Sequence, residues 1–169
     1  MKKLIMVNGT MGVGKTTICK ELYQSINNSC WLDGDWCWTM NPFRVTEENK
    51  EMVLDNIIHL LNNFLKNASF ECIIFNWVMQ YESIITSILD RLNLGLNTEV
   101  IKISLVCSEE ELEKRIKKDV RRGIRDIEAV SASKERLALY NDMDTIKIKT
   151  DNFGIDEIVD KIKINAGFC

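Results

Sequence analysis

Proline is almost missing from this chain: Pro42 is the single one among 169 residues, and glycine occurs only eight times. That scarcity excludes collagen-like, proline-rich and flexible-linker architectures. Histidine is limited to His59, and the six cysteines (Cys19, Cys30, Cys37, Cys72, Cys107, Cys169) contain no Cys-x-x-Cys pair, so zinc-site spacings are lacking. No run of about 18 apolar residues occurs, which argues against a membrane partner. The start, Met1-Lys2-Lys3, four apolar residues and then Asn8-Gly9, is too short for a secretory signal core. An even number of cysteines raises the question of a disulfide framework, but without a leader the reading is reduced thiols in a cytoplasmic protein. A basic surplus is lacking as well. Lys and Arg total 22 against 25 Asp and Glu, a net charge of −3, which disfavours a dedicated nucleic-acid binder.

What is present is ordinary globular material, 46% apolar and 28% charged, in a length that suits one domain over residues 1–169. Short apolar runs alternate with helical stripes. Lys3–Val7, Cys30–Leu32, Cys72–Phe75, Val100–Val106 and Ile146–Ile148 read as strands, the apolar ones suited to a buried parallel sheet. Helices are expected from Lys15 to about Asn27, Thr46 to about Lys66, Glu82–Leu92, Ser133–Tyr140 and Ile155–Ile162. A further helix begins at the capping box Ser108-Glu-Glu-Glu111. Thr46 is a candidate N-cap. Strands separated by helices imply β-α-β units with right-handed crossovers and a three-layer α/β domain. His59 lies mid-helix among aliphatic residues and reads as structural or surface.

Between the first strand and helix stands Gly9-Thr10-Met11-Gly12-Val13-Gly14-Lys15-Thr16-Thr17, which satisfies the phosphate-binding pattern G-x-x-x-x-G-K-[ST]. Glycines let successive backbone N–H groups approach phosphate oxygens, and the helix behind them turns its positive dipole end to the same anion. Lys15 is placed to bridge β- and γ-phosphates, and the Thr16 hydroxyl to reach a magnesium ion. Guanine-specific and motor-type variants are weakened. Asn49-Lys50-Glu51-Met52 lacks the aspartate of a guanine signature, and the third strand ends Phe75-Asn76-Trp77 without a carboxylate. The second strand ends Leu32-Asp33-Gly34-Asp35 instead. Ligands gather beyond the carboxyl ends of strands in an open parallel sheet, so one of these aspartates suits a metal or its water shell and the other a proton-accepting role.

The loop and the two aspartates together resemble the small P-loop kinases of metabolites and antibiotics, among them gluconate, adenylylsulfate and shikimate kinases and chloramphenicol phosphotransferases. The resemblance implies a five-stranded parallel sheet of order 2-3-1-4-5, ATP as donor and Mg2+ as cofactor. In such families the carboxylate after the second strand serves in acceptor binding or as base, a role that falls mainly to Asp35 with Asp33 as the alternative, while Thr16 with Asp33 is the candidate magnesium pair. Thr150-Asp151-Asn152 falls where such kinases place the loop beside the adenine.

Lys114, Arg115, Lys117, Lys118, Arg121, Arg122 and Arg125 crowd into twelve positions beside one acid, Asp119, a local +6 against −9 elsewhere. Similar kinases carry a mobile lid here, expected at residues 114–130. Arg122 and Arg125 are the leading phosphate contacts, with Arg115 and Arg121 behind them. Trp36, Trp38, Arg44 and Trp77 are candidates for the acceptor pocket around Asp35, whose aromatic walls suit an aromatic or nucleoside-like small molecule. The function that results is ATP-dependent phosphotransfer to a small-molecule hydroxyl or phosphate. The alternative is a nucleotide-binding regulatory module with little or no transfer.

Overall fold

A computed structural model of the chain describes residues 1–124 and 126–168. Strands β1 (Lys2–Asn8), β2 (Ser29–Asp33), β3 (Cys72–Asn76), β4 (Thr98–Val106) and β5 (Ile146–Lys149) form one parallel sheet in the order β2-β3-β1-β4-β5. The expected fold class and strand order are therefore both present. Helices are α1 (Lys15–Gln24), α2 (Glu47–Lys66), α3 (Glu82–Leu89), α4 (Glu109–Arg121), α5 (Ala129–Leu137) and α6 (Ile155–Asn165).

Strand β1 is buried on both faces, which is why it reads as an unbroken apolar run. Ile5 and Val7 face one core with Ile18 and Leu22 of α1, Leu112 and Ile116 of α4, and Ile158 and Ile162 of α6. Leu4 and Met6 face the other, with Val53, Ile57 and Leu61 of α2 and Ile85 and Ile88 of α3. Each fully buried aliphatic side chain contributes about 1.5–3 kcal/mol, so losing a single helix stripe would undo one layer.

Thr46 does cap α2, its hydroxyl accepting the Asn49 N–H at 3.1 Å. At the other end Lys2 donates to the carbonyls of Leu65 and Asn67, both at 2.7 Å. The capping box at α4 is half made. Ser108 accepts from the Glu111 N–H at 3.3 Å, but Glu111 turns its carboxylate to Arg115. The Ser108 N–H that the box would use already donates to Asp151 at 2.8 Å. Helices α1 and α3 stop about a turn earlier than their stripes suggest. The last-turn amides bond back within the turn, and the chain leaves through Asn28 in a left-handed conformation after α1. Helix α5 begins four residues earlier than expected and ends in a 3-10 turn, Ala138–Tyr140.

Candidate functional site

Beyond Asn8 the chain enters the loop Gly9–Gly14 and returns as α1. Gly12 has a φ of 87°, and a Cβ there would lie 2.7 Å from Ile116 Cγ1 of α4. A side chain would therefore be strained by its backbone and would also clash with the opposing helix. Lys15 is 92% buried along the loop, its Nζ donating to the carbonyls of Gly9 at 2.9 Å and Thr10 at 3.2 Å. The Thr10 hydroxyl donates to the Ser133 carbonyl at 2.9 Å and so ties the loop to α5.

The two aspartates after β2 occupy different environments. Asp33 is buried, and its carboxylate accepts the Thr16 hydroxyl at 2.7 Å and the Asp35 N–H at 3.1 Å. The second bond makes Asp33 the N-cap of the 3-10 turn Gly34–Trp38. Asp35 is exposed and lines a cavity of about 570 Å3 that runs along Met11–Ile18. Val78 borders the cavity beside Asp35, while Phe153 and Ile155 border it from beyond the opposite sheet edge. Lys118, Asp119 and Arg122 face it from α4 and its C-cap. Thr17 lines it as well.

The remaining expected site residues are spread more widely. Trp36 is exposed and sets its ring edgewise on Trp31, centroids 4.8 Å apart. Trp38 packs on Phe43 and on the α2 core, and Arg44 is exposed with its carbonyl accepting from Asn49. Trp77 lies directly against Gly34, where a Cβ would meet its Cγ at 2.6 Å. Of Asp35, Trp36, Trp38, Arg44 and Trp77, Asp35 is the one that borders the cavity. Arg125 lies outside the described residues. His59 is exposed on α2.

Arg115 proves to be a brace within the cavity wall. Its Nε donates to Glu111 at 2.9 Å, one terminal nitrogen to Val13 O at 3.1 Å and Thr150 Oγ1 at 2.9 Å, and the other to Thr150 O at 2.9 Å. One guanidinium thus joins α4, the glycine loop and the end of β5. Two lysines of the basic run are ion-paired along their own helix face. Lys114 meets Glu111 at 3.6 Å and Lys117 meets Glu113 at 2.6 Å. Lys134 of α5 reaches Glu113 at 3.1 Å and Glu109 at 3.5 Å. The i,i+3 and i,i+4 spacing of Glu111 with Lys114 and of Glu113 with Lys117 was the available signal for the two pairs within α4, whereas Lys134 comes from a separate helix.

Asn76, at the tip of β3 in register with Asp33, was also missed as a contributor. Its Oδ1 accepts the Trp31 indole N–H at 2.6 Å, and its buried Nδ2 has no hydrogen-bond partner among the described residues. The five described cysteines are free thiols. Burial, reinforced by the charge of Asp33, raises the Cys37 thiol beside the site, which makes it a poor nucleophile. Burial pushes the Asp151 carboxyl up, but two hydrogen bonds from Ser108 and the nearby Arg115 charge hold it below the usual carboxylate range. Among the described residues no cluster of three His, Cys, Asp or Glu forms a metal site, and no helix is long and apolar enough to cross a membrane.

Residues 5–135 match the AAA domain family, a stretch that holds the glycine loop, both aspartates and the basic segment. The chain belongs to that family. Its fold is that of small P-loop kinases. The tunicamycin resistance protein of Deinococcus radiodurans superposes with a TM-score of 0.73 at 16% identity, covering 100% of this chain and 98% of that one. A gluconokinase from Sinorhizobium meliloti 1021 gives 0.71 at 16% identity, with coverage of 98% and 91%. Shikimate kinase from Aquifex aeolicus gives 0.60 at 17% identity, with coverage of 95% and 94%. At these identities the likeness is one of fold. Comparison with curated proteins finds no match in sequence.

Proposed function

We propose that this protein is an ATP-dependent phosphotransferase acting on a hydroxyl or phosphate of a small molecule. The observation that carries the reading is that one cavity is lined both by the phosphate-binding loop and by the Asp35 carboxylate. Backbone N–H groups of Gly9–Thr17 hold the phosphates, and Lys15 neutralises charge on the transferred group once its Nζ leaves the Gly9 and Thr10 carbonyls. The Thr16 hydroxyl and the buried Asp33 carboxylate are hard oxygen donors 2.7 Å apart, a set that suits Mg2+. Such an ion, when bound, offsets charge on the β- and γ-phosphates.

Asp33 is already committed to Thr16 and to the Asp35 N–H, so the proton of the acceptor hydroxyl falls to Asp35. Arg122 and Arg125 neutralise charge on the transferring group from the segment expected as a lid at residues 114–130. The Arg115 brace and the buried Ile116 hold the first part of that segment fixed, and the loop after β5 holds the adenine. The exposed indole of Trp36 on the same turn as Asp35 supports an aromatic or nucleoside-like acceptor. The free thiols fit a cytoplasmic setting.

A panel of nucleosides, sugars and antibiotics, screened for acceptor-stimulated ATP consumption, tests this reading. Stimulation should fall at least about 100-fold in Asp35→Asn and in Lys15→Ala, the size of effect general-base and electrostatic groups carry. Undiminished turnover by Asp35→Asn removes the base assignment. Asn76, neutral where motor-type ATPases carry an acid, favours the alternative of a regulatory module. Tight ATP binding without stimulation by any acceptor would decide for that alternative.

A further inference from the structure

The turn that follows β3 is held in a conformation its sequence does not favour. Met79 is buried with a φ of 37°, left-handed backbone for a residue that is neither glycine nor asparagine. Two side chains from distant elements hold it there. The Asn8 amide at the end of β1 donates to the Met79 carbonyl at 3.1 Å, and Asn8 is itself fixed by the Ser104 hydroxyl at 2.6 Å. The Tyr140 hydroxyl, at the end of the 3-10 turn that prolongs α5, donates to the Val78 carbonyl at 2.9 Å. The Tyr140 ring is completely buried among the α2 and α3 side of the core.

The residues so held reach the cavity by two routes. Val78 borders it directly. Trp77, one position earlier, fills the space a Cβ on Gly34 would occupy, its own Cβ and ring carbons lying 2.6–2.9 Å from that point. Gly34 separates Asp33 from Asp35, so the indole bears on the backbone that aims Asp35. Resting on the phosphotransferase reading for the role of Asp35, we propose that Tyr140 is a positioning residue. It fixes the Trp77–Met79 turn and, through Trp77 against Gly34, the Asp35 carboxylate. The hydroxyl is needed because a left-handed turn with an unpaired carbonyl relaxes toward ordinary backbone angles, and Trp77 moves with it.

Tyr140→Phe keeps the ring and deletes the one hydrogen bond. Hydrogen exchange of the nucleotide-free protein, resolved by segment, tests the chain of contacts without needing an acceptor or turnover. Amides of residues 77–80 and of residues 33–38 should both exchange at least about threefold faster, while residues 9–17 and the mant-ATP affinity with magnesium change less than about twofold. Gly34→Ala, which pushes on Trp77 from the other side, should accelerate exchange at residues 77–80 in return.

Faster exchange confined to residues 77–80 in Tyr140→Phe would overturn the proposal. So would a uniform increase matching a fall in global stability, since that is what a merely structural tyrosine gives. A tenfold loss of mant-ATP affinity would place the effect of Tyr140 on the phosphate loop and overturn it as well. Because no acceptor enters the experiment, a failed acceptor screen counts against the phosphotransferase reading and leaves the exchange result intact.

Discussion

Replacing Arg115 by lysine should damage this protein far more than an exchange of one cation for another suggests. The guanidinium makes four hydrogen bonds, to Glu111, Val13 O, Thr150 Oγ1 and Thr150 O, from a fork whose geometry an ammonium cannot copy. A lysine retains one or two of them, so at least two acceptors lose a charged partner. Hydrogen bonds to charged groups are each worth about 1.5–3 kcal/mol, and an acceptor left unpaired costs about 1–3 kcal/mol. The Arg115 side chain is 29% exposed, which lets water replace part of this. The expected loss is about 2 kcal/mol for Arg115→Lys and about 3 kcal/mol for Arg115→Met.

Urea denaturation followed by far-ultraviolet circular dichroism reads both values. The brace joins the loop at Val13 to the end of β5 at Thr150, so nucleotide affinity should fall with stability. Raising salt should leave the wild-type-to-lysine difference largely intact, because the fork and not the net charge is lost. An Arg115→Lys protein within about 0.5 kcal/mol of wild type would refute the reasoning, as such a value is typical of an ordinary surface substitution.

Two further outcomes follow from single hydrogen bonds. Trp31→Phe removes the indole N–H at 2.6 Å from Asn76 and leaves that amide buried without a partner. It should cost about 1–3 kcal/mol by thermal or urea denaturation, and adding Asn76→Leu should recover part of the loss. Asp151 has a carboxyl held below its ordinary value in the folded protein, so its contribution is fully present above the unfolded carboxyl value of about 3.9. That contribution is lost as pH falls through the lower folded value. The stability gap between wild type and Asp151→Asn, measured by urea midpoint, should therefore be constant from neutral pH down to about pH 5 and close below about pH 4. A gap that widens on acidification would contradict the sign.

Much of the site was legible because its chemistry is local. The loop Gly9–Thr17 needs particular residue types at consecutive positions, and its neighbours β1 and α1 announce themselves by period. Asp33 and Asp35 were recognisable as a pair for the same reason, and the resemblance leaned to Asp35 as the acceptor's partner, but their different surroundings were not legible. Those depend on Thr16, 17 positions away, whose hydroxyl bonds Asp33, while Asp35 lines the cavity. Arg115 shows the opposite limit. In one dimension it was a cation in a basic run suited to phosphate. In three dimensions two carbonyls from 102 and 35 residues away had already taken its fork. Trp77 was legible as an aromatic at a strand end but not as the neighbour of Gly34, and Tyr140 carried no signal, because a tryptophan against a glycine and a buried hydroxyl on a carbonyl are meetings of distant segments.

The scarcity of proline, histidine and basic surplus disfavoured whole classes of protein, and the single glycine-rich motif pointed to phosphate as what the loop is built to hold. Both depend on composition and on neighbours along the backbone, where each residue constrains only a few others. Strand order, the brace at Arg115, the burial of Asp33 and the left-handed turn at Met79 were decided by tertiary structure. Hydrogen-bond donors and acceptors from separate elements compete for one another only once the sheet has brought them within 3 Å. At that distance geometry, and no longer residue type, decides which cation binds a ligand and which one binds the fold.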